Sequence, residues 1–317
     1  MFSAVFCGAA AAQEYCFSQY YLDKLAVSPA FAAVGDYSEI GLIFRDQWPG
    51  IEGGFKIYNA EYQQKLPTFN CGLGLRLFGD MSGGGAFKTT EADLIYAYEF
   101  SLTHSLKCSF GIQAGYHTKK LDQSGLVYYS MIEGSTGSVA PINENVRYDK
   151  SGSVNFSGGM MLYTRQTLCA FGLYRITSLR VTGEKNLLPV TTTVLINHKI
   201  KVASKVRKDK IEDVFIAPTL NFAYSSSAVM IMPGAYFYGS KLLAGLALRY
   251  QKSDWSSAAV VMSAGFNFGR FEIGLGYDVY LSAIGPPSKN SVEAGVKYKF
   301  ENSEKNSGSK TILCPAF

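Results

Sequence analysis

The stretch from residue 271 to residue 300 constrains the fold more strongly than any other part of this sequence. Apolar residues alternate with charged residues and glycine from Phe271 to Val279, and the alternation returns from Val292 to Phe300 after a Pro286–Pro287 turn. A period of two predicts β-strands with one apolar face and one polar face. In a membrane barrel the apolar face meets lipid and the polar face lines the lumen. Glycines on the polar face and an aromatic residue at the end favour this barrel over the edge of a soluble β-sandwich.

Composition supports the same interpretation. The 317 residues include 21 Tyr, 21 Phe and 32 Gly, and charged residues make up only 17%. An ordinary soluble domain has about 25% charged residues. Low charge with abundant aromatic residues and glycine is typical of barrels that face lipid and carry aromatic girdles. No apolar run reaches the length of about 18 residues that a transmembrane helix needs.

Alternation and turn residues predict an all-β fold, a closed transmembrane antiparallel up-and-down β-barrel of about 14 strands. Closure is expected because an open sheet edge in lipid leaves backbone groups unpaired, so the first strand should pair with the last. The predicted strands are 36–47, 52–65, 70–79, 90–102, 106–118, 154–164, 168–178, 191–203, 213–225, 229–238, 241–250, 257–267, 270–281 and 290–300.

The connections predict which way the barrel faces. If the N-terminus lies in the periplasm, long loops fall on the outer side and short turns on the periplasmic side, as in known barrels. Ser225–Ala228 is short where a long loop is expected, and Ser204–Glu212 is long where a turn is expected. The predicted long loops are Asp80–Thr89, Lys119–Ser153, Leu179–Val190, Gln251–Ser256 and Ser282–Lys289.

The same alternation predicts the direction of individual side chains. We expect Leu246, Leu275, Tyr277, Val296 and Tyr298 to face lipid, and Arg249, Glu272, Asp278 and Lys297 to face the lumen.

Four regions follow along the chain. Residues 1–12 end in Ala10-Ala11-Ala12 and resemble a secretory signal peptide. The basic start of such a peptide is missing, which a truncated segment or a misplaced start would explain. A disordered apolar tail is the alternative. We then expect a periplasmic N-terminal segment at 13–35, the outer-membrane barrel at 36–300, and a flexible periplasmic tail at 301–317 that is rich in Ser, Asn, Lys and Glu.

The cysteines indicate no metal or redox motif, because none of the six forms a CxxC pair. Cys71, Cys108 and Cys169 lie in predicted strands and are expected to be small apolar fillers. Cys16 and Cys314 flank the barrel in sequence. A closed barrel with an even number of strands brings both ends to one rim, so a disulfide between them is possible.

A basic cluster from Lys199 to Lys210 accounts for part of the net charge of +5. Aromatic residues do not interleave with it as they do in single-strand binding proteins, so nucleic acid is not an expected partner. Two interpretations remain open, a solvated periplasmic turn and a docking site for an acidic partner.

The sequence contains no recognisable catalytic set. His104, His117 and His198 are scattered, and neither a nucleophile elbow nor a phosphate-binding loop is present. Gly83–Gly85 is expected to be a turn, and the Glu212–Asp213 pair is expected to be solvated. We therefore predict no catalytic, cofactor-binding or metal-binding residues, and no enzymatic activity.

Several short motifs occur in a characteristic order. They are Phe17-Ser18-Gln19-Tyr20-Tyr21, Ser28-Pro29-Ala30-Phe31-Ala32, Phe44-Arg45-Asp46-Gln47-Trp48-Pro49, Gly72-Leu73-Gly74-Leu75, Ile95-Tyr96-Ala97-Tyr98, Phe110–Tyr116, Phe271–Asp278 and the closing Cys314–Phe317. This combination resembles the PorP/SprF family of type IX secretion system outer-membrane proteins, over about residues 13–317. Ser28-Pro29 stands where the family usually has Asn-Pro, and Arg45-Asp46-Gln47-Trp48 where it usually has Arg-Asn-Gln-Trp.

The resemblance implies a non-enzymatic outer-membrane barrel without a cofactor. It would support secretion or surface anchoring of a partner adhesin or other cargo, with a possible link to gliding motility. Its expected partners are outer-membrane lipid, type IX secretion components or an adhesin C-terminal domain, and periplasmic machinery at the barrel base. From the residues alone, Phe44–Trp48 is interpreted as a girdle aromatic followed by the lead-in to a turn, in which Arg45, Gln47 and Trp48 would fix the first loop.

Two other functions remain as alternatives. One is an outer-membrane diffusion porin or hydrophobic-substrate channel, and the other, disfavoured by the missing catalytic set, is an outer-membrane lipase or protease. The lumen should discriminate the channel from the partner barrel. A porin needs an open pore lined with charge, whereas a partner barrel can be narrow or plugged, for which Lys119–Ser153 is the predicted segment.

Overall fold

The computed structural model describes residues 17–35, 37–51, 53–122, 149–182, 189–207, 210–239, 241–252, 256–281 and 290–301. The predicted signal peptide, Cys16, Cys314 and the tail beyond Glu301 lie outside the described residues.

One antiparallel sheet forms the wall of the molecule. Its strands are β1 (Tyr37–Gln47), β2 (Phe55–Leu66), β3 (Cys71–Ser82), β4 (Phe87–Ser101), β5 (Lys107–Leu121), β6 (Asp149–Tyr163), β7 (Thr167–Thr182), β8 (Thr191–His198), β9 (Ile200–Arg207), β10 (Lys210–Ser225), β11 (Val229–Tyr238), β12 (Leu242–Lys252), β13 (Ser256–Phe268), β14 (Phe271–Tyr280) and β15 (Ser291–Glu301).

The sheet closes into a barrel because its first and last strands pair. β1 and β15 are in register from the Tyr37–Glu301 pair to the Gln47–Ser291 pair. β8 and β9 share one position in the wall, since both pair with β10 and only Lys199 separates them. The wall therefore has 14 positions, and the predicted closed barrel is confirmed.

The two ends of the barrel differ, and we name them by their chain segments. The terminal rim is the end at which β1 starts at Tyr37 and β15 finishes at Glu301, and the loop rim is the opposite end. At the loop rim β5 and β6 pair as far as Leu121 and Asp149, beyond their predicted ends. The predicted loop at Lys119–Ser153 is therefore shorter than expected, and residues 123–148 lie outside the described part.

At the terminal rim, the prediction of a long turn at Ser204–Glu212 is wrong. β9 continues to Arg207 and β10 starts at Lys210, and these two residues are register partners. The strands can continue because a two-stranded ribbon in water tolerates charged side chains on its faces.

The wall has an apolar outside and a polar inside, as its alternation predicts. Leu246 and Leu275 are 59% and 51% exposed on the outside, whereas Asp278 and Lys297 are fully buried inside. Arg249 and Glu272 are also buried. The outward side chains are those that meet lipid in a membrane barrel.

Aromatic side chains cluster on the outside near the terminal rim. The rings of Phe100 and Phe110 stack at 5.9 Å, and those of Tyr298 and Phe300 meet edge to face at 4.7 Å. Such a belt is the interfacial girdle of a transmembrane barrel.

Within the described ranges, none of the helices combines the length and the apolar character needed to cross a membrane.

Candidate functional site

The lumen of the barrel is filled by the chain's own segment Phe17–Val34, which we call the plug. All of its residues except Ala26 are buried, and Leu25, Ala30 and Ala33 are completely so. The sequence predicted a periplasmic segment at 13–35, and the structure places the described part of it inside the barrel instead. Its apolar side chains explain this position, because the lumen removes them from water.

Turns and one short helix shape the plug. The amide of Leu22 donates to the carbonyl of Gln19 at 2.9 Å, and that of Val27 donates to Lys24 at 3.0 Å. A 3₁₀ helix follows at Pro29–Ala33. Pro29 suits the first helical position, where no amide hydrogen is needed, and the Ser28 hydroxyl accepts from the amide of Ala30 at 3.3 Å. The Ser28-Pro29 motif therefore starts this helix.

The first end of the plug binds a cluster of buried charges, which we call the Arg45 cluster. Arg45 pairs with Asp278 at 2.7 Å and also with Glu293. Ser18 donates from its hydroxyl to Asp278 at 2.9 Å and from its amide to Glu293 at 2.7 Å. Arg249 pairs with Asp278 at 3.0 Å. The plug thus supplies hydrogen bonds that these carboxylates need once they are removed from water.

A second cluster lies nearer the terminal rim and is centred on Lys297. Its ammonium group is 3.3 Å from Glu39 and 3.5 Å from Glu61, and it donates to the carbonyl of Tyr21 in the plug at 3.1 Å. Lys24 of the plug pairs with Glu39 at 3.4 Å. Wall and plug therefore share one ion-pair network at this height.

A third polar contact joins the plug to β2. The side-chain amide of Asn59 donates to the carboxylate of Asp23 at 2.8 Å. On the neighbouring strands Arg76 pairs with Asp93 at 3.2 Å.

Strands β5, β7 and β8 bind the backbone of the plug. Hydroxyl groups of Tyr174, Thr193 and Ser109 donate to the carbonyls of Leu25, Val27 and Ala30 at 2.7, 2.6 and 2.8 Å. These bonds satisfy backbone groups that the short plug cannot pair within itself. The contacts reach from β14 and β15 to β5, β7 and β8, so the plug crosses the lumen.

Glycines on the inner face make room for the plug. A Cβ atom at Gly72 would overlap the backbone of Ala32, and one at Gly111 would overlap the backbone of Pro29 and Ala30. These positions therefore accept only a hydrogen atom while the plug is in place. The polar-face glycines expected between Phe271 and Phe300 contribute as well, since a Cβ atom at Gly274 would overlap the side chain of Gln19 in the plug.

Apolar contacts complete the filling. The ring of Tyr236 on β11 meets the rings of Tyr20 and Tyr21 edge to face at 5.5 and 5.9 Å. Leu22 and Phe31 are also buried in the same cluster. The lumen is therefore packed like a protein core around its charged groups.

The predicted loop residues separate in the structure. Arg45 points into the lumen and not towards the first loop, because inward positions alternate along β1 and its charge is paired there. Gln47 accepts from Arg45 at 3.3 Å. Trp48 follows β1 with a φ of 65° and packs against Phe55 and Tyr280.

The other predicted features occupy ordinary positions. Asp213 pairs with Lys201 at 2.7 Å, and His198 Nδ1 lies 2.8 Å from the Thr167 hydroxyl. Cys71 and Cys108 are buried free thiols, and Cys169 is an exposed one. No group of three or more His, Cys, Asp or Glu residues that could hold a metal occurs among the residues that the structure describes.

Sequence reasoning missed the plug although its residues carried two of the motifs. Ser18, Gln19 and Tyr21, and also the Ser28–Ala32 motif, lie inside the lumen. The available signal was the row of inward glycines together with the apolar character of 17–34, which a segment exposed to water would not need.

Comparisons with known proteins agree with this architecture. The family model described as type IX secretion system membrane protein PorP/SprF matches residues 9–298. No match was found among curated proteins.

Solved structures similar to the chain are outer-membrane barrels. The P. putida toluene transporter TodX is 11% identical, with 88% of this chain and 93% of that chain covered and a TM-score of 0.47. A Pseudomonas aeruginosa FadL homologue is 9% identical, with coverages of 86% and 92% and a TM-score of 0.45. CdiB from Acinetobacter baumannii is 7% identical, with a TM-score of 0.44, and this chain's 83% coverage spans only 60% of that chain.

Proposed function

Because this chain belongs to the PorP/SprF family of type IX secretion system membrane proteins, we propose that it is a non-enzymatic partner barrel of that system. It resides in the outer membrane. In the proposed role it supports secretion, or surface anchoring, of an adhesin or other cargo protein, which links it to gliding motility where the cargo is a motility adhesin.

The filled lumen is the observation that carries this proposal. A diffusion porin works through a continuous path of water, and its constriction determines which solutes pass. Here the plug crosses the lumen and is held on several sides by ion pairs and hydrogen bonds. A barrel that is filled in this way is better suited to hold a protein partner at its rims than to pass solutes.

We assign the terminal rim to the periplasm and the loop rim to the cell surface. Most connections at the terminal rim are short, such as residues 67–70 and 164–166, and the longest connections lie at the loop rim. The cargo would then be held by the outer loops, chiefly the one between β5 and β6. Periplasmic machinery would meet the terminal rim and the tail that follows it.

A conductance measurement separates this proposal from the channel alternative. We expect the intact protein to give no stable conductance in planar bilayers, and no uptake of small sugars or monoaromatic hydrocarbons in liposomes. Open steps of uniform size in the intact protein, or saturable uptake, would support the channel instead. A barrel of the same preparation from which residues 17–34 are deleted serves as the positive control for a pore.

Cargo retention tests the partner role directly. The deletion of residues 132–145 shortens the loop between β5 and β6 without touching a described strand. We expect the barrel to insert normally, while the cargo is released from intact cells into the medium. A deletion of matched size in the tail, residues 303–316, serves as the control for the outer face. If retention is unchanged by the loop deletion and lost with the tail deletion, the partner binds the periplasmic side.

A further inference from the structure

A two-stranded ribbon leaves the barrel wall at the terminal rim. β8 follows β7 as far as the His198–Thr167 pair, and the amide of Lys199 donates to the carbonyl of Gln166 in the turn between β6 and β7 at 2.7 Å. Beyond that turn, β9 pairs only with β10 among the described strands. We call Ile200–Arg207 with Lys210–Val214 the ribbon.

Both edges of the ribbon lie outside the described ladder. β10 starts to pair with β11 only at Phe215, which faces Tyr238. The part of β10 before it, and the whole of β9, therefore present backbone N–H and C=O groups that no other described strand uses. Such an edge is a template on which a further strand can add, with main-chain hydrogen bonds that supply affinity.

Exposed side chains accompany the free edge. Val202 is 57% exposed and Ile200 is 48% exposed, and Lys201 alternates with them. Branched apolar side chains on a pleated surface contribute to pairing with an added strand. The edge of β9 therefore offers both backbone groups and apolar contact to an extended segment.

Charge decides what kind of segment fits. The sequence from 199 to 214 contains the six basic residues Lys199, Lys201, Lys205, Arg207, Lys208 and Lys210 against three acidic ones, Asp209, Glu212 and Asp213. A second copy of the ribbon would bring like charges together, which disfavours pairing, and lysine on an edge strand is a common protection against self-association. An acidic strand would instead bring opposite charges together, which favours pairing.

We propose that the edge of β9 binds an extended acidic segment of a periplasmic protein as a third strand. The inference rests on the proposed function for the orientation of the terminal rim. Main-chain pairing with β9 holds the segment, and the excess of basic residues selects acidic partners and speeds their approach.

Peptide binding to the purified protein tests the inference. The probes are two fluorescent synthetic peptides of ten residues, one alternating Glu with Val and one alternating Lys with Val. The protein is held in nanodiscs of zwitterionic lipid. We expect the Glu–Val peptide to bind and the Lys–Val peptide to bind about tenfold more weakly or not at all. Isotope-edited infrared spectra of the bound peptide should show strand pairing.

Charge reversal provides the matched variants. In the K201E/K205E protein we expect the peptide preference to reverse. The K241E/R270E protein carries the same change in charge on the β11–β12 and β13–β14 turns of the same rim, which are not part of the ribbon, and should keep the preference for the Glu–Val peptide. Heat-modified mobility on gels verifies that each barrel is folded.

Three outcomes in zwitterionic lipid would each overturn the inference. They are equal binding of both peptides, an equal effect of the two double variants, and binding without a strand signal. A further arm replaces part of the lipid with phosphatidylglycerol. If anionic lipid abolishes peptide binding to the wild type, and K201E/K205E removes that effect, the ribbon lies on the membrane surface and the inference fails. Cargo retention is not part of this assay, so a failure of peptide binding can be distinguished from a failure of the proposed function.

Discussion

Arg45 on β1 and Asp278 on β14 form an ion pair of 2.7 Å inside the barrel, although the whole of β15 lies between their strands. The pair is possible because both side chains project inward over β15, which contributes Glu293 to the same cluster. Ser18 of the plug then bonds to both carboxylates. The position of the plug is therefore coupled to the closure of the wall between β14 and β1.

Replacement of Arg45 should weaken the hold on the plug. R45M removes the buried cation that pairs with Glu293, while Asp278 keeps only Arg249 as its cationic partner. The loss of one member of a buried charge cluster is expected to destabilise the protein by about 3–5 kcal/mol. We expect earlier unfolding in denaturant and faster proteolysis within residues 17–34. R45M/E293Q, which removes one of the stranded charges, should recover part of the loss. Full protection of the plug in R45M would contradict the assigned role.

A disulfide should hold the plug in the lumen. The Cβ atom of Ala32 lies 3.5 Å from the position that a Cβ atom would take at Gly74 on β3. Cysteine pairs that bridge have Cβ atoms about 3.5–4.5 Å apart. We expect A32C/G74C to oxidise, and to keep the R45M barrel closed to ions until a reductant is added. The single variant A32C in the same background is the control. Equal conductance in oxidised and reduced protein would show that the plug does not close the lumen.

A methyl group added at an inward glycine that contacts the plug should displace the plug. A methyl group at Gly111 would meet the backbone of Ala30, whereas one at Gly265, which is also inward, meets only Leu243 at 3.2 Å and the carbonyl of Ile273 at 3.4 Å. Overpacking of a tight site costs about 1–3 kcal/mol. We expect G111A to lower the free energy of unfolding by this amount and to expose the plug to protease, and G265A to have a smaller effect. The reverse order would place the plug elsewhere.

The free-energy cost of a charged side chain on the outer face should depend on its depth in the membrane. Leu275 lies in the middle of β14 and is 51% exposed, so L275R places a cation near the membrane midplane. The expected cost is about 2–4 kcal/mol. Leu281, just beyond β14 at the loop rim, is also exposed, and L281R should cost about 0–1 kcal/mol. Folding titrations into lipid vesicles would measure the free energy of folding of both variants. Equal costs would mean that residue 275 does not face the membrane core.

The sequence by itself determined the barrel. Alternation from Phe271 to Phe300 and its repetition along the chain follow directly from the two environments of the wall, lipid outside and polar lumen inside. The number of wall positions and the inward direction of Arg249, Asp278 and Lys297 followed from this local pattern. The pairing of β1 with β15 followed from the cost of an open sheet edge in lipid. A side chain's direction in a strand depends only on its parity, so neighbours along the chain are sufficient to predict it.

Only the tertiary structure decided what fills the lumen. The 17–34 segment has no period, and its partners Asp278, Glu293 and Lys297 are more than 250 positions away in the chain. Its location depends on backbone hydrogen bonds and on glycine seats contributed by strands from the whole wall. The ribbon beyond the β6–β7 turn was hidden for a similar reason. Alternation predicts that a segment is a strand, but whether a neighbour lies beside it is determined by where the other strands end.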